Sequence, residues 1–126
     1  MKSNKPDSLG HFEQLVLAAI SMLKGRAFGL AIYDKVEELA GKRINIGAIY
    51  TTLDRLEDKG YISTWMDEPT PERGGRRKRF CRLEAPGVEV LQESIATSER
   101  VMEGIKESWR LGKWRPSRAT RNDRRE

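Results

Sequence analysis

Three glycines, Gly25, Gly41 and Gly60, cut the first sixty residues into short segments, and each segment carries one apolar stripe at helical spacing. In residues 11–24, "HFEQLVLAAISMLK", Phe12, Leu15, Val16, Ala19, Ile20 and Leu23 fall on one face. Gly25 is expected to end that helix. In "FGLAIYDKVEELAGKR", Leu30, Tyr33, Val36 and Leu39/Ala40 form the second stripe, with Gly41 suited to the left-handed position past a helix end. Residues 45–60 form the third. Asn45 is its expected N-cap, Ile46, Ile49, Leu53 and Leu56 face inward, and Gly60 stops it. Three short helices in about fifty residues, the last two separated by a few residues, match a tri-helical helix-turn-helix core.

The pattern then changes from period 3.6 to period 2. "YISTWM" (61–66) alternates and is rich in aromatic and β-branched residues, which reads as a strand. "DEPTPERGG" is a long turn with two prolines and two glycines. "RRKRFCRL" returns as a second strand. A hairpin directly after the third helix makes the fold a winged helix-turn-helix: α+β, mostly helical, with three helices and a two-stranded wing.

Pro86 and Gly87 mark a fourth helix, expected from about 87 to 112 and roughly 39 Å long. Val88, Leu91, Ile95, Ser98, Met102, Ile105 and Trp109 recur along it at alternating spacings of three and four, a heptad seam. The seam either covers the chain's own core or zips two chains into a homodimer, and the distance of Met102 and Trp109 from the short core favours the dimer. Val88, Leu91, Ile95, Met102, Ile105 and Trp109 are the expected interface. The chain thus divides into a tail (1–8), a winged helix-turn-helix domain (9–85), a dimerisation helix (86–114) and a basic tail (115–126) without large apolar residues, expected to be disordered.

Charge points to the partner. The 126 residues carry a net charge of +5. Residues 73–82, "RGGRRKRFCR", hold six cations in ten positions, at the tip and return strand of the wing. A charge run alone is usually a solvated surface. Here it sits beside the third helix, whose outward face is expected to show Gly47, Ala48, Thr51, Thr52 and Arg55, with Tyr50 at the border and Asn45 at the start. Small residues let a helix sink into a major groove about 12 Å wide. Hydroxyl and guanidinium groups can bond phosphates or a guanine edge. An ordinary amphipathic helix with small residues facing water shows the same pattern, so the adjoining wing decides. Arg73, Arg76, Arg77 and Lys78 are its expected DNA contacts, and binding through them should be steeply salt-dependent.

Other chemistry finds little support. One His and one Cys, His11 and Cys81, cannot make a conventional zinc site, and the lone cysteine excludes an internal disulfide. Cys81 reads as structural, with redox sensing the lesser alternative. No phosphate-binding loop or nucleophile motif occurs, so neither an enzyme nor a cofactor is expected. Trp65, Trp109 and Trp114 could line a ligand cleft but read more simply as packing. No run approaches the length of a membrane helix, and the opening "MKSNKPDSLG" lacks the apolar segment of a signal peptide. A cytoplasmic protein with no membrane partner is expected. A winged-helix protein–protein adaptor is the alternative function, and it would show apolar side chains on the third helix's outward face.

Four segments together resemble the PadR-type winged-helix transcriptional regulators: "LGHFEQLVLAAISML", "FGLAIYDKVEE", "INIGAIYTTLDRLEDKGYI" and "GGRRKRFCRLEAPGVEVL". The likeness runs from about Leu9 to Leu91. "GAIYTTLDRLEDKGYI" is similar to the family's recognition segment, and "GGRRKRFCRL" to its wing. The resemblance implies a cytoplasmic homodimer that binds a double-stranded DNA operator, an inverted repeat, and usually represses. It implies that Tyr50 lies near DNA and that Arg76, Arg77 and Lys78 are wing contacts. It also implies the short subfamily, in which the last helix dimerises together with helix 1, bringing in Phe12 and Leu15. Effectors in the family are small aromatic or multidrug-like molecules, and no feature of this sequence identifies one. One departure is that Leu83 is followed by Glu84-Ala85-Pro86 where the family often has Leu-Thr, which leaves the cap of the fourth helix open.

Overall fold

The computed structural model describes residues 9–68 and 77–112. Arg73, Gly74, Gly75, Arg76, Trp114 and both expected tails lie outside the described residues. The element order is α1 (His11–Leu23), a 3-10 turn (Lys24–Arg26), α2 (Gly29–Ala40), α3 (Ile46–Asp58), β1 (Ile62–Met66), β2 (Arg79–Leu83) and α4 (Ala85–Arg110). This is the expected winged helix-turn-helix followed by a long C-terminal helix. The chain divides into two compact units between Ser94 and Ile95, so the first turns of α4 belong to the unit that holds the wing.

The core of that unit is built where three stripes meet: Val16, Leu17, Ala19 and Ile20 of α1, Ile32 and Val36 of α2, and Ile49, Leu53 and Leu56 of α3. Tyr61, Ile62, Cys81, Val90 and Leu91 close it from the wing and α4. Leu17, Ile32, Ile49, Leu53 and Leu56 are fully buried, and truncating one such leucine to alanine costs about 2–5 kcal/mol.

Several expectations are corrected. The residue that ends α1 is Lys24, at φ 56, not Gly25. In α2 the buried stripe is Gly29, Ile32 and Val36, whereas Leu30 is 55% exposed and Leu39 37% exposed. Val36 belongs to both stripes; the fully buried Ile32 marks the side that turns to the core, and the Tyr50 ring of α3 lies against Gly29 on it. Ile46, expected inward, is 40% exposed in the first turn of α3. Leu91, expected in a dimer interface, is buried in its own chain's core beside Val90. Phe12 and Leu15 are half-buried against the same core.

The helix ends are fixed chemically. Gly41 adopts φ 72 and donates its N–H to Glu37 O. Asn45 caps α3, its Oδ1 accepting the Gly47 N–H at 2.6 Å. β1 and β2 pair antiparallel, Thr64 opposite Cys81 and Trp65 opposite Phe80. A short third pairing, unanticipated from the sequence, joins Phe28 to Phe80, and the Cys81 N–H donates to Ala27 O at 2.8 Å. α4 begins against the carbonyl of Tyr61, which accepts the Glu84 N–H. A Cβ on Gly87 would lie 2.1 Å from that carbonyl oxygen, so only glycine fits there. The Glu84 carboxylate turns to the Ser63 hydroxyl, 2.5 Å away.

The two ends of the helical core are tied by Glu13, whose carboxylate accepts from the Gly10 N–H at 3.1 Å and from Lys59 Nζ at 3.2 Å. Burial opposes its charge, but the Gly10 N–H and the Lys59 ammonium outweigh that and hold its carboxyl below the ordinary 4.5. A folded-state value below the unfolded one stabilises above the unfolded value, and that stabilisation disappears as pH falls through the folded one. Glu13→Gln should therefore lower stability by about 1–2 kcal/mol at neutral pH. The gap to the wild type should narrow as pH drops below 4.5, as thermal unfolding across the acid range would record.

Candidate nucleic-acid interface

The turn between α2 and α3 is held by one carboxylate. Glu37 Oε2 accepts the Ile44 N–H at 2.9 Å. That N–H, and then the Tyr33 hydroxyl, keep the Glu37 carboxyl below its ordinary value, while the same hydrogen bond raises the Tyr33 phenol. The carboxylate thus ties the last turn of α2 to the residue just before the α3 cap.

On α3, Asn45, Gly47, Ala48, Thr51 and Arg55 are exposed. Asn45 spends its side-chain oxygen on the helix cap, leaving its amide nitrogen as the group able to donate. Tyr50 is 38% exposed and its ring lies over Gly29, where a Cβ would meet the Tyr50 hydroxyl at 2.5 Å. Thr52 departs from expectation: it is only 3% exposed. It stands three residues after Ile49 and four before Leu56, so it shares their buried stripe and presents no hydroxyl to a groove.

The wing hairpin is closed by Asp67. Its Oδ1 accepts the Lys78 N–H at 2.7 Å, and its own N–H donates to Lys78 O at 3.0 Å. Arg77 is exposed just beyond this closure. Lys78 is half-buried, with Nζ 3.9 Å from the centre of the Phe28 ring, a cation–π geometry. Phe28 packs against Phe80 at 5.5 Å, Phe80 stacks on Trp65 at 5.8 Å, and Arg82 lies 5.5 Å from the Trp65 ring. The outer face of the wing is therefore an aromatic ladder with a cation at each end.

Sequence reasoning missed what these groups share. Phe28 and Gly29, at the start of α2, receive Lys78 from the wing on one residue and Tyr50 from α3 on the next. The signal was the unbranched gap at Gly29 beside a lone aromatic, which spacing alone does not assign. Also missed was Arg79, counted as one more cation of the run. Its Nη2 lies 3.0 Å from both Asp54 Oδ1 and Glu57 Oε1 on α3.

Cys81 is buried and its thiol is pushed up to about 11 by that burial. Such a thiol is almost wholly neutral near pH 7, the opposite of a reactive thiolate. Among the described residues no cluster of three or more His, Cys, Asp or Glu is placed to hold a metal. None of their helices is long and apolar enough to cross a membrane.

Comparison with known proteins bears on this arrangement. Among solved structures, a PadR family transcriptional regulator from Eggerthella lenta is 24% identical, with a TM-score of 0.60 over 75% of this chain and 80% of that one. A PadR family transcription regulator from Clostridium difficile is 19% identical, with a TM-score of 0.63 over 78% and 97%. A transcriptional regulator from Clostridium thermocellum is 19% identical, with a TM-score of 0.62 over 78% and 89%. At these identities the likeness is one of fold. An uncharacterised 37.1 kDa protein of transposon Tn4556 from Streptomyces fradiae is 32% identical over 96 residues. The match takes in 76% of this chain but 25% of that protein, so the chain spans about a quarter of that relative's length. The sequence model of the transcriptional regulator PadR-like family matches residues 16–93, well over half of the chain. By that match the chain belongs to the PadR-like family of transcriptional regulators.

Proposed function

We propose that two copies of this chain bind an inverted-repeat DNA operator, each placing α3 in a major groove and its wing on the adjoining backbone or minor groove, and that they repress the gene so covered. The observation that carries this reading is the convergence on Phe28 and Gly29. One turn of backbone orients both Tyr50, beside the small and hydroxylated residues Gly47, Ala48 and Thr51, and Lys78, beside Arg77. Arg55 extends the same exposed face. Arg73 and Arg76 continue the cation run in sequence and are assigned with Arg77 and Lys78 to phosphates. A dimer seated on promoter DNA blocks polymerase, which makes repression the simplest outcome.

Dimerisation is assigned to the second unit. Ile95, Met102, Ile105 and Trp109 are 42%, 54%, 42% and 56% exposed on the heptad spacing, with Val101 beside them at 54%. A helix face of that apolarity requires cover. Val88, 39% exposed, and the half-buried Phe12 and Leu15 lie in the first unit and are assigned a separate share of the contact between the two copies. A two-fold pair would present its recognition helices about one DNA turn apart.

Three outcomes check this reading. Replacing Arg76 and Arg77 with alanine should weaken binding to all sequences and reduce the salt slope by about one for each phosphate no longer neutralised; equilibrium titrations at several salt concentrations measure it. Ile95→Asp with Met102→Asp should raise the dimer dissociation constant at least about a thousandfold, since even one unpaired buried charge costs about 3–5 kcal/mol and the variant adds two per chain; sedimentation would report monomers. Gly29→Ala should displace the Tyr50 ring and lower operator affinity about tenfold, the scale of one hydrogen bond. Its melting temperature should change little, because the atoms in the way are the free end of a side chain.

A further inference from the structure

The cations of the wing are not equivalent. Lys78 is over an aromatic ring and Arg82 beside another, whereas Arg79 is directed at the recognition helix itself. Asp54 and Glu57 are three residues apart, hence neighbours on one face of α3. The Arg79 guanidinium reaches both carboxylates at 3.0 Å. Its side chain is 22% exposed, against 67% for Asp54 and 41% for Glu57. Glu57 has a second partner: its Oε2 accepts the Thr64 hydroxyl at 2.9 Å. Thr64 lies on β1 and Arg79 on β2, and alternation along the paired strands puts both on the same face of the hairpin. One carboxylate of α3 therefore holds both strands of the wing.

We infer that Arg79 is a positioning residue which, with Asp54, Glu57 and Thr64, fixes the wing against the recognition helix, and that it makes no contact with DNA phosphate. This rests on the proposed DNA-binding reading. Two carboxylates already neutralise the guanidinium, so it has no unmatched charge to give a polyanion. Exposed ion pairs stabilise a fold little, so such a network matters chiefly for orientation. A planar arginine that bridges two acids on one helix face, closed by a hydroxyl from the other strand, restrains the wing relative to α3 more narrowly than a lysine could. A wing held in place before binding has less freedom to lose on the DNA, and affinity rises accordingly.

The test compares wild type with Arg79→Met, Arg77→Ala, the double variant and Glu57→Gln on an operator fragment. The positioning role predicts that Arg79→Met weakens binding about tenfold with little change in melting temperature. In that background Arg77→Ala should add almost nothing, because a loosened wing no longer docks its outer cations. It also predicts that Glu57→Gln weakens operator binding although it removes a negative charge. A direct phosphate contact predicts the opposite on both counts: the arginine effects add, each lowering the salt slope, and Glu57→Gln tightens binding by freeing the guanidinium. Either of those results overturns the inference. Hydrogen exchange on the free protein separates this question from the regulator reading. Faster exchange of β1 and β2 amides in Arg79→Met, with α1 and α2 unchanged, supports the restraint, and unchanged exchange in the wing refutes it. Absence of salt-dependent operator binding in the wild type would defeat the DNA reading while leaving that exchange measurement decisive for Arg79.

Discussion

The missing side chain at Gly29 is the constraint on which the placement of α3 and the wing depends. α2 and α3 approach closely there because the Tyr50 ring can rest where any other residue would place a Cβ. The same stretch of chain pairs with β2 through Phe28 and Ala27, so the position of the wing and the position of α3 are referred to one short piece of backbone. Glu37, bonding the Ile44 N–H, then fixes where α3 begins, and Tyr61 with Gly87 fixes where α4 begins. Each junction is set by a polar group or a glycine, and the apolar core fills the space these junctions define.

Much of this was legible in the sequence, and what escaped has physical reasons. Ile49, Leu53 and Leu56 were readable because a single stripe on α3 is strongly apolar and its flanks are not. α2 has two stripes of similar strength that share Val36, and apolarity alone does not choose between Leu30 and Ile32. Thr52 is small enough and apolar enough at its methyl group to be buried, so its hydroxyl misled. Leu91 fits a heptad as well as it fits the core, and periodicity has no means of saying where along a helix the first partner gives way to the next. The fourth helix itself was visible as a heptad over three repeats, with its start displaced by only two residues.

Counting charge proved a poor guide to what charge does. The run that first singled out the wing contains cations in at least three environments: exposed at Arg77, laid over an aromatic face at Lys78, and neutralised by α3 at Arg79. A sequence shows the total, while the alternation of a strand decides which side each member takes. Arg79 shares a face with Thr64 and Cys81, towards the helices, whereas Phe80 and Arg82 share the outer face with Trp65.

Burial of Cys81 has a practical corollary. Its side chain is buried in the core, and that burial pushes its ionisation up to about 11. At neutral pH maleimide or iodoacetamide reagents would find almost no thiolate to alkylate. A reporter cysteine introduced on the solvent side of α3 or α4 could then carry a fluorophore or spin label selectively, with the native thiol left in place.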